Sequence, residues 1–191
     1  MYDINFFQKS NNLKQEICSG QKNISSSSEL ELLFKKLRTK SPFIYNIETT
    51  NYCNMKCVMC PRTLYMTRKN IWIDDDMFEK LTDNARKHTD DSLEKFKSWV
   101  KNDFKYDPDE VSENGFYFSV ISKSLVLHGF GEPFLDKNLI KRLETCKRKN
   151  IPTYFSCTPA TMTVEKAKAA MDAGLGVLKF SLDAMDERKI Q

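Results

Sequence analysis

Alternating strand and helix patterns most constrain what this 191-residue chain can fold into. Apolar and amphipathic periodicities predict strands at 43–50, 124–128, 151–157 and 177–183, and helices at 138–149 and 163–173. Strands that are joined through helices run parallel, with right-handed crossovers. The sequence therefore predicts an α/β fold, a partial (β/α) barrel with about four parallel strands.

The patterns also divide the chain. We expect an N-terminal arm and helix at 1–42, irregular through 1–27, and a core at 43–191. The connection at about 86–122 is longer than a strand–helix unit needs and is interpreted as an insertion. Within it, Phe116 to Ile121 is predicted as a short extra strand. The chain ends where a new helix begins, so we expect a partial polypeptide, truncated before the barrel is complete.

Composition excludes several classes of protein. A hydrophobic content of 40% is enough for a packed core. The apolar runs are far shorter than the roughly 20 residues of a membrane-spanning helix, and the polar N-terminus lacks a secretory signal. We therefore expect a cytoplasmic protein with no membrane partner. The net charge is only +4, and the basic residues are scattered along the chain. Both observations disfavour nucleic acid as a partner.

Three cysteines follow the first predicted strand at once, with the spacing C-x3-C-x2-C: Cys53, Cys57 and Cys60. A structural zinc ion takes four ligands, and only His88 and His128 accompany the triplet, with no second cysteine pair. Three unligated thiols in a polar loop are disfavoured, because free cysteine prefers apolar burial. An iron–sulfur cluster is the favoured interpretation, and three thiolates leave one iron open.

The segment from Glu48 to Arg62, ETTNYCNMKCVMCPR, closely resembles the opening of radical S-adenosylmethionine (SAM) enzymes, most of all the branch with SPASM or twitch domains. The resemblance implies that Cys53, Cys57 and Cys60 hold a [4Fe–4S] cluster whose fourth iron is chelated by SAM. It also implies reductive cleavage of SAM to a 5′-deoxyadenosyl radical that abstracts hydrogen. The backbone near Met59 is then expected to contact the adenine.

A second motif follows the strand predicted at 124–128. His128-Gly129-Phe130-Gly131-Glu132-Pro133 resembles the family's Gly-Gly-Glu-Pro motif, which binds the SAM amino group, with Phe130 at the position of the first glycine. The end of the last predicted strand resembles the family's contacts near the SAM ribose. By this resemblance the SAM-binding positions are Gly131, Glu132, Pro133, Ser181 and Asp183.

The resemblance implies a radical SAM oxidoreductase or its N-terminal portion. The branch favours peptide or protein modification, followed by chemistry on a small molecule, with a reductant such as flavodoxin or ferredoxin. Catalytic residues on the substrate side are not identified. The alternative is a non-catalytic iron–sulfur or zinc-binding module, a truncated or degenerate relative. An RNA-modifying enzyme of the superfamily would carry a basic appendage, which the sequence does not display.

Other polar and sulfur-containing residues are expected to be structural. No second cluster motif is formed by the remaining cysteines, Cys18, Cys146 and Cys157. Cys146 is expected in the core, and His128 is expected to pack at its strand end. Lys179 is expected to pair with Glu48 or Asp183, because a charge inside the barrel needs a partner.

Overall fold

The protein is described by a computed structural model that covers residues 4–38, 44–85 and 88–182, without the side chain of Ile121. The helices are α1 (Ile4–Cys18), α2 (Ser27–Leu37), α3 (Pro61–Tyr65), α4 (Asp75–Asp83), α5 (Asp90–Phe104), α6 (Glu113–Lys123), α7 (Leu139–Arg148) and α8 (Val164–Asp172). The strands are β1 (Leu125–Val126), β2 (Thr153–Cys157) and β3 (Val177–Phe180). Within these ranges, none of the helices has the length and apolar character that crossing a bilayer requires.

The three strands form one parallel sheet in the order β1-β2-β3, which confirms the predicted α/β class. The segment predicted as the first strand joins this sheet by a single parallel bridge between Asn46 and Val126. It leaves the sheet early because its next residues pair elsewhere. Thr50 forms an antiparallel bridge with Trp72, and Thr49 accepts a hydrogen bond from the N–H of Ile73 at 2.9 Å.

The main core lies on the outer face of the sheet, under α4, α7 and α8. Apolar side chains from alternate strand positions meet those of the helices there; they include Leu125, Leu127, Phe155, Cys157, Phe78, Leu143, Cys146 and Ala170. Cys146 is fully buried, as predicted. Beside this core, Arg142 and Asp136 form an ion pair of 2.7 Å with side chains 1% and 0% exposed. Removal of one partner of such a pair destabilises the fold, because it leaves the other charge buried and uncompensated.

A second, smaller core is built from α1, α5 and α6. Ile4 of α1 is buried with Leu93, Phe96 and Val100 of α5, and Phe118 of α6 packs against them. The expectation that 1–27 is irregular is therefore wrong, because α1 runs from Ile4 to Cys18. Few of its side chains are buried, so the contact with α5 and not a strong apolar stripe accounts for the helix.

The extra strand predicted at 116–121 is also wrong, since those residues belong to α6. The hydroxyl of Ser112 accepts a hydrogen bond from the N–H of Gly115 at 3.1 Å and caps the helix. The ring of Phe118 stacks on Phe96 with 5.3 Å between centroids. Aromatic and β-branched residues favour strands only weakly, and here capping and packing decide for the helix.

Candidate metal and cofactor site

A buried asparagine fixes both ends of the cysteine loop. Asn51, 2% exposed, accepts a hydrogen bond from the N–H of Ile71 at 2.6 Å and donates one to the carbonyl of Lys69 at 2.9 Å. Its own carbonyl accepts from Nε of Arg62 at 3.1 Å. The sequence alone assigned no role to Asn51 or Arg62. The available signal was an asparagine two positions before the first cysteine and an arginine two positions after the last.

The three predicted ligands lie on one loop, each partly exposed and with a free thiol. Cys60 donates its N–H to the carbonyl of Cys57 at 3.1 Å, which closes a tight turn. The hydroxyl of Thr63 donates to the same carbonyl at 3.0 Å. Sγ of Cys53 accepts a hydrogen bond from the N–H of Met55 at 3.4 Å. Local backbone bonds therefore hold the loop folded back on itself.

Electrostatics connects the first cysteine with its surroundings. Burial raises the pKa of the Cys53 thiol, the charges of Glu132 and Cys57 raise it further, and Arg62 opposes them. Across 4–38, 44–85 and 88–182, no three Cys, His, Asp or Glu side chains converge as the ligands of one metal ion. The ligand set of Cys53, Cys57 and Cys60 stays a prediction.

The Gly-Glu-Pro turn lies directly against the segment that leads into this loop. Glu132 donates its N–H to the carbonyl of Tyr52 at 2.7 Å. A Cβ added to Gly131 would come within 1.9 Å of the carbonyl oxygen of Thr50, closer than atoms approach. Only glycine permits this backbone contact. Pro133 follows, buried, at the start of a short 3₁₀ turn over Pro133–Leu135.

The Glu132 side chain, 3% exposed, has partners within the protein. Its carboxylate accepts hydrogen bonds from the backbone N–H of Thr158 at 2.9 Å and of Phe134 at 3.4 Å. It thus ties the turn after β1 to the end of β2. The sequence suggested this charge for the SAM ammonium. In the structure the carboxylate holds two strand ends together, and its contact with the SAM ammonium stays a prediction.

The other predicted SAM contacts lie in different surroundings. Met59, at the tip of the cysteine loop, is 73% exposed. Ser181 follows β3 and donates its N–H to the carbonyl of Cys157 at 2.9 Å. Its hydroxyl lies 2.8 Å from that of Ser156. Asp183 lies outside the described residues.

His128 is packed at the end of β1, as expected. Its Nδ1 accepts a hydrogen bond from the N–H of Ser156 at 3.1 Å, and its ring meets Tyr154 edge to face at 5.3 Å. Burial lowers the pKa of His128 to about 4, and the charge of Lys179 contributes. The imidazole is therefore neutral near pH 7.

Lys179 is not paired with Glu48, one of the two partners expected from the sequence, and Asp183, the other, lies outside the described residues. The Lys179 ammonium pairs with Glu113 of α6 at 3.2 Å. Glu48 instead pairs with Arg68 at 2.9 Å and accepts a hydrogen bond from the N–H of Phe130 at 2.7 Å. The partner of Lys179 thus comes from the insertion, which periodicity within the strand does not reveal.

The donor set suits an iron–sulfur cluster with SAM beside it. The chain offers three thiols on one loop, and cluster irons bind thiolates. The hydroxyl of Thr158, next to the Glu132 carboxylate, is buried and has no hydrogen-bond partner within the described part of the chain. Buried polar groups are normally paired, so an orphaned hydroxyl at a strand end fits a ligand position.

A known protein family matches most of the chain. The model of the radical SAM superfamily matches residues 47–191. No curated protein matches. Among solved structures, the chain is similar to the crystal structure of BtrN in complex with AdoMet and 2-DOIA, with 13% identity and a TM-score of 0.47 over 72% of this chain and 45% of that chain. The chain thus spans less than half of the BtrN chain. Since the family model covers most of its length, the protein belongs to the radical SAM superfamily.

Proposed function

We propose that the chain binds a [4Fe–4S] cluster through Cys53, Cys57 and Cys60 and SAM beside it. When bound and reduced, the cluster supplies the electron that breaks a carbon–sulfur bond of SAM, giving methionine and a 5′-deoxyadenosyl radical. Family membership supports the class of chemistry. The finer assignment rests on the residues of this chain.

The contact between the two motifs carries the proposal. The hydrogen bond of 2.7 Å from Glu132 to Tyr52 brings the Gly-Glu-Pro turn against the residue that precedes Cys53. A ligand that bridges the cysteine loop and this turn would touch both motifs at once. A plain turn between a strand and a helix would not need glycine at Gly131, where the clash with Thr50 makes it necessary.

Residues next to the cysteine loop anchor the backbone around the proposed cluster and SAM site. Asn51 and Arg62 fix where the loop begins and ends, so its backbone is anchored on both sides of the three cysteines, whose side chains do not yet converge on one point. Glu132 holds the end of β2 through the N–H of Thr158, which leaves the Thr158 hydroxyl for a ligand. Preorganised backbone of this kind lowers the entropy cost of binding.

The branch resemblance leads us to propose a peptide or protein substrate. Around the cysteine loop, the side chains of Lys56, Arg62 and Arg68 line one cleft. Positive charge at this edge suits an acidic electron donor such as flavodoxin or ferredoxin, because complementary charge steers encounter.

Anaerobic reconstitution tests the proposal. We expect about four irons per chain, as one [4Fe–4S] cluster requires, and 5′-deoxyadenosine after reduction with SAM. Replacing any of Cys53, Cys57 or Cys60 by serine should abolish both. The matched control is Cys18→Ser, because this thiol is exposed on α1 and outside the loop.

Other results favour the alternative module. One zinc per chain without a nucleoside product would identify a zinc-binding module. A complete cluster that yields no 5′-deoxyadenosine with SAM and reductant would identify a non-catalytic iron–sulfur protein. Equal iron content in Cys57→Ser and Cys18→Ser would contradict the ligand assignment itself.

A further inference from the structure

Polar side chains gather on the inner face of the sheet, opposite the main core. Ser156 and Lys179 are paired in register across β2 and β3 and therefore point to the same side. The hydroxyl of Ser181 lies 2.8 Å from that of Ser156, and His128 accepts the Ser156 N–H. These groups lie toward the carboxyl ends of parallel strands, where ligands bind in α/β folds.

Helix α6 covers this face. The ring of Phe116 meets Tyr154 of β2 edge to face at 6.1 Å. The ammonium of Lys179 lies 4.4 Å from the ring centroid of Tyr117 and 5.8 Å from that of Phe116. The insertion thus lies over the polar surface where a substrate of the proposed reaction would be bound.

Two side chains of α6 hold the lysine. Glu113 pairs with Nζ of Lys179 at 3.2 Å, and the hydroxyl of Tyr117 is bonded to the same nitrogen. Positions 113 and 117 lie one helical turn apart and share a face. The bond to Tyr117 and the pair with Glu113 raise the pKa of Lys179, so its positive charge persists. We call these three residues the Lys179 latch.

The two ends of α6 are attached differently. At its C-terminal end, Lys123 is followed after one residue by β1, so this end is tied to the sheet. At its N-terminal end, residues 105–112 form a connection without regular structure. Glu113 and Tyr117 lie in the half that follows this connection. Phe118 and the hydrogen-bonded pair of Tyr106 and Ser112 join α6 to the second core, so release of the latch would let its N-terminal half separate from the sheet while its C-terminal end stays tied.

We propose that α6 is a lid over the inner face and that Lys179, once released, binds an anionic group of the substrate. In the closed state the Glu113 carboxylate is paired with the Lys179 ammonium. In the open state a carboxylate or phosphate of the substrate would take its place. That the inner face is the substrate-binding surface rests on the proposed function. The Lys179 latch itself can be tested without cluster or SAM.

Hydrogen exchange measured by mass spectrometry on the full chain tests the lid. In Tyr117→Phe and in Lys179→Met, the amides in the N-terminal half of α6 should exchange about tenfold faster than in wild type, because a short helical segment released from its tertiary contacts frays. The amides of β2 should keep their protection. Lys123→Met, which removes a charge from the last turn of the same helix, should leave the exchange unchanged.

Anions test the second part. At equal ionic strength, sodium phosphate or sodium acetate should speed exchange in the N-terminal half of α6 relative to sodium chloride in wild type, but not in Lys179→Met. An effect of phosphate alone indicates a phosphorylated substrate, and an effect of acetate indicates a carboxylate. Unchanged exchange in Tyr117→Phe with an intact fold would overturn the lid, and no effect of either anion would overturn the role of Lys179. Both outcomes are independent of SAM cleavage.

Discussion

Acid should destabilise this fold through His128, a residue outside the cysteine loop. The imidazole is enclosed by Tyr154, Ser156 and the charge of Lys179, and burial lowers its pKa to about 4 from an ordinary value of 6.5. The folded state thus resists protonation that the unfolded chain accepts. The contribution to stability is complete above about pH 6.5 and is lost as the pH falls toward 4.

The pKa values of the folded and unfolded states set the size of the effect. A difference of one in pKa corresponds to about 1.4 kcal/mol. At a pH well below both pKa values of His128, the free energy of unfolding is therefore lower by about 3 kcal/mol. Between about pH 7 and about pH 5, only part of this loss of stability occurs, because pH 5 still lies above the pKa of about 4 in the folded protein. Linkage then gives a loss of about 2 kcal/mol in the free energy of unfolding over this interval.

Urea unfolding at both pH values measures this loss. The matched variant is His128→Asn, whose amide oxygen can accept the N–H of Ser156 but does not titrate. Wild type should lose about 2 kcal/mol more than the variant on acidification. Carboxylates such as Asp75 and Glu79, whose pKa values are lowered by bonds to lysines, contribute equally to both proteins. Identical pH dependence in the two proteins would refute the assigned burial of His128.

Two further substitutions test the packing that supports the site. Gly131→Ala should lower the free energy of unfolding by about 1–3 kcal/mol, since its Cβ would strike backbone. Gly129→Ala should cost less, because its Cβ would come within 2.7 Å of the Glu48 side chain and not within 1.9 Å of backbone; equal losses in urea unfolding would contradict the close contact at Gly131. Arg142→Met should cost about 3–5 kcal/mol by leaving the Asp136 charge buried and unpaired. Lys168→Met, in an exposed ion pair, should leave the melting temperature nearly unchanged, and similar shifts in both variants would argue against the buried pair.

Much of the core was predictable because its signals are local. The runs that became β2 and β3 are apolar and bounded by turns, and the helix at Leu139–Arg148 has a clear apolar stripe. The strand predicted at 43–50 is reduced to a bridge, since Thr49 and Thr50 pair with a distant segment. Helix α6 was missed because its residues favour strands and its helical state depends on packing with α5.

The candidate site divides in the same way. The cysteines and the Gly-Glu-Pro turn were predictable from motif spacing, because few chemical roles suit closely spaced thiols or a glycine followed by a carboxylate and a proline. The partners of Glu132 and Lys179 were not predictable, since they come from segments that are distant in sequence. Asn51 and Arg62 were missed for the same reason: their value lies in backbone contacts that no residue pattern specifies.

The hydrogen bond between Phe130 and Glu48 joins residues 82 positions apart, and it lies beside the cysteine loop. The turn within the loop is local, but its place against the Gly-Glu-Pro turn is set only after the chain has been synthesised well past its last cysteine. A short peptide carrying the three thiols lacks the Gly-Glu-Pro turn that lies against Tyr52 in the folded chain. Metal insertion is thus expected to come late in the maturation of this protein, as an event on a folded chain and not as the nucleus of folding.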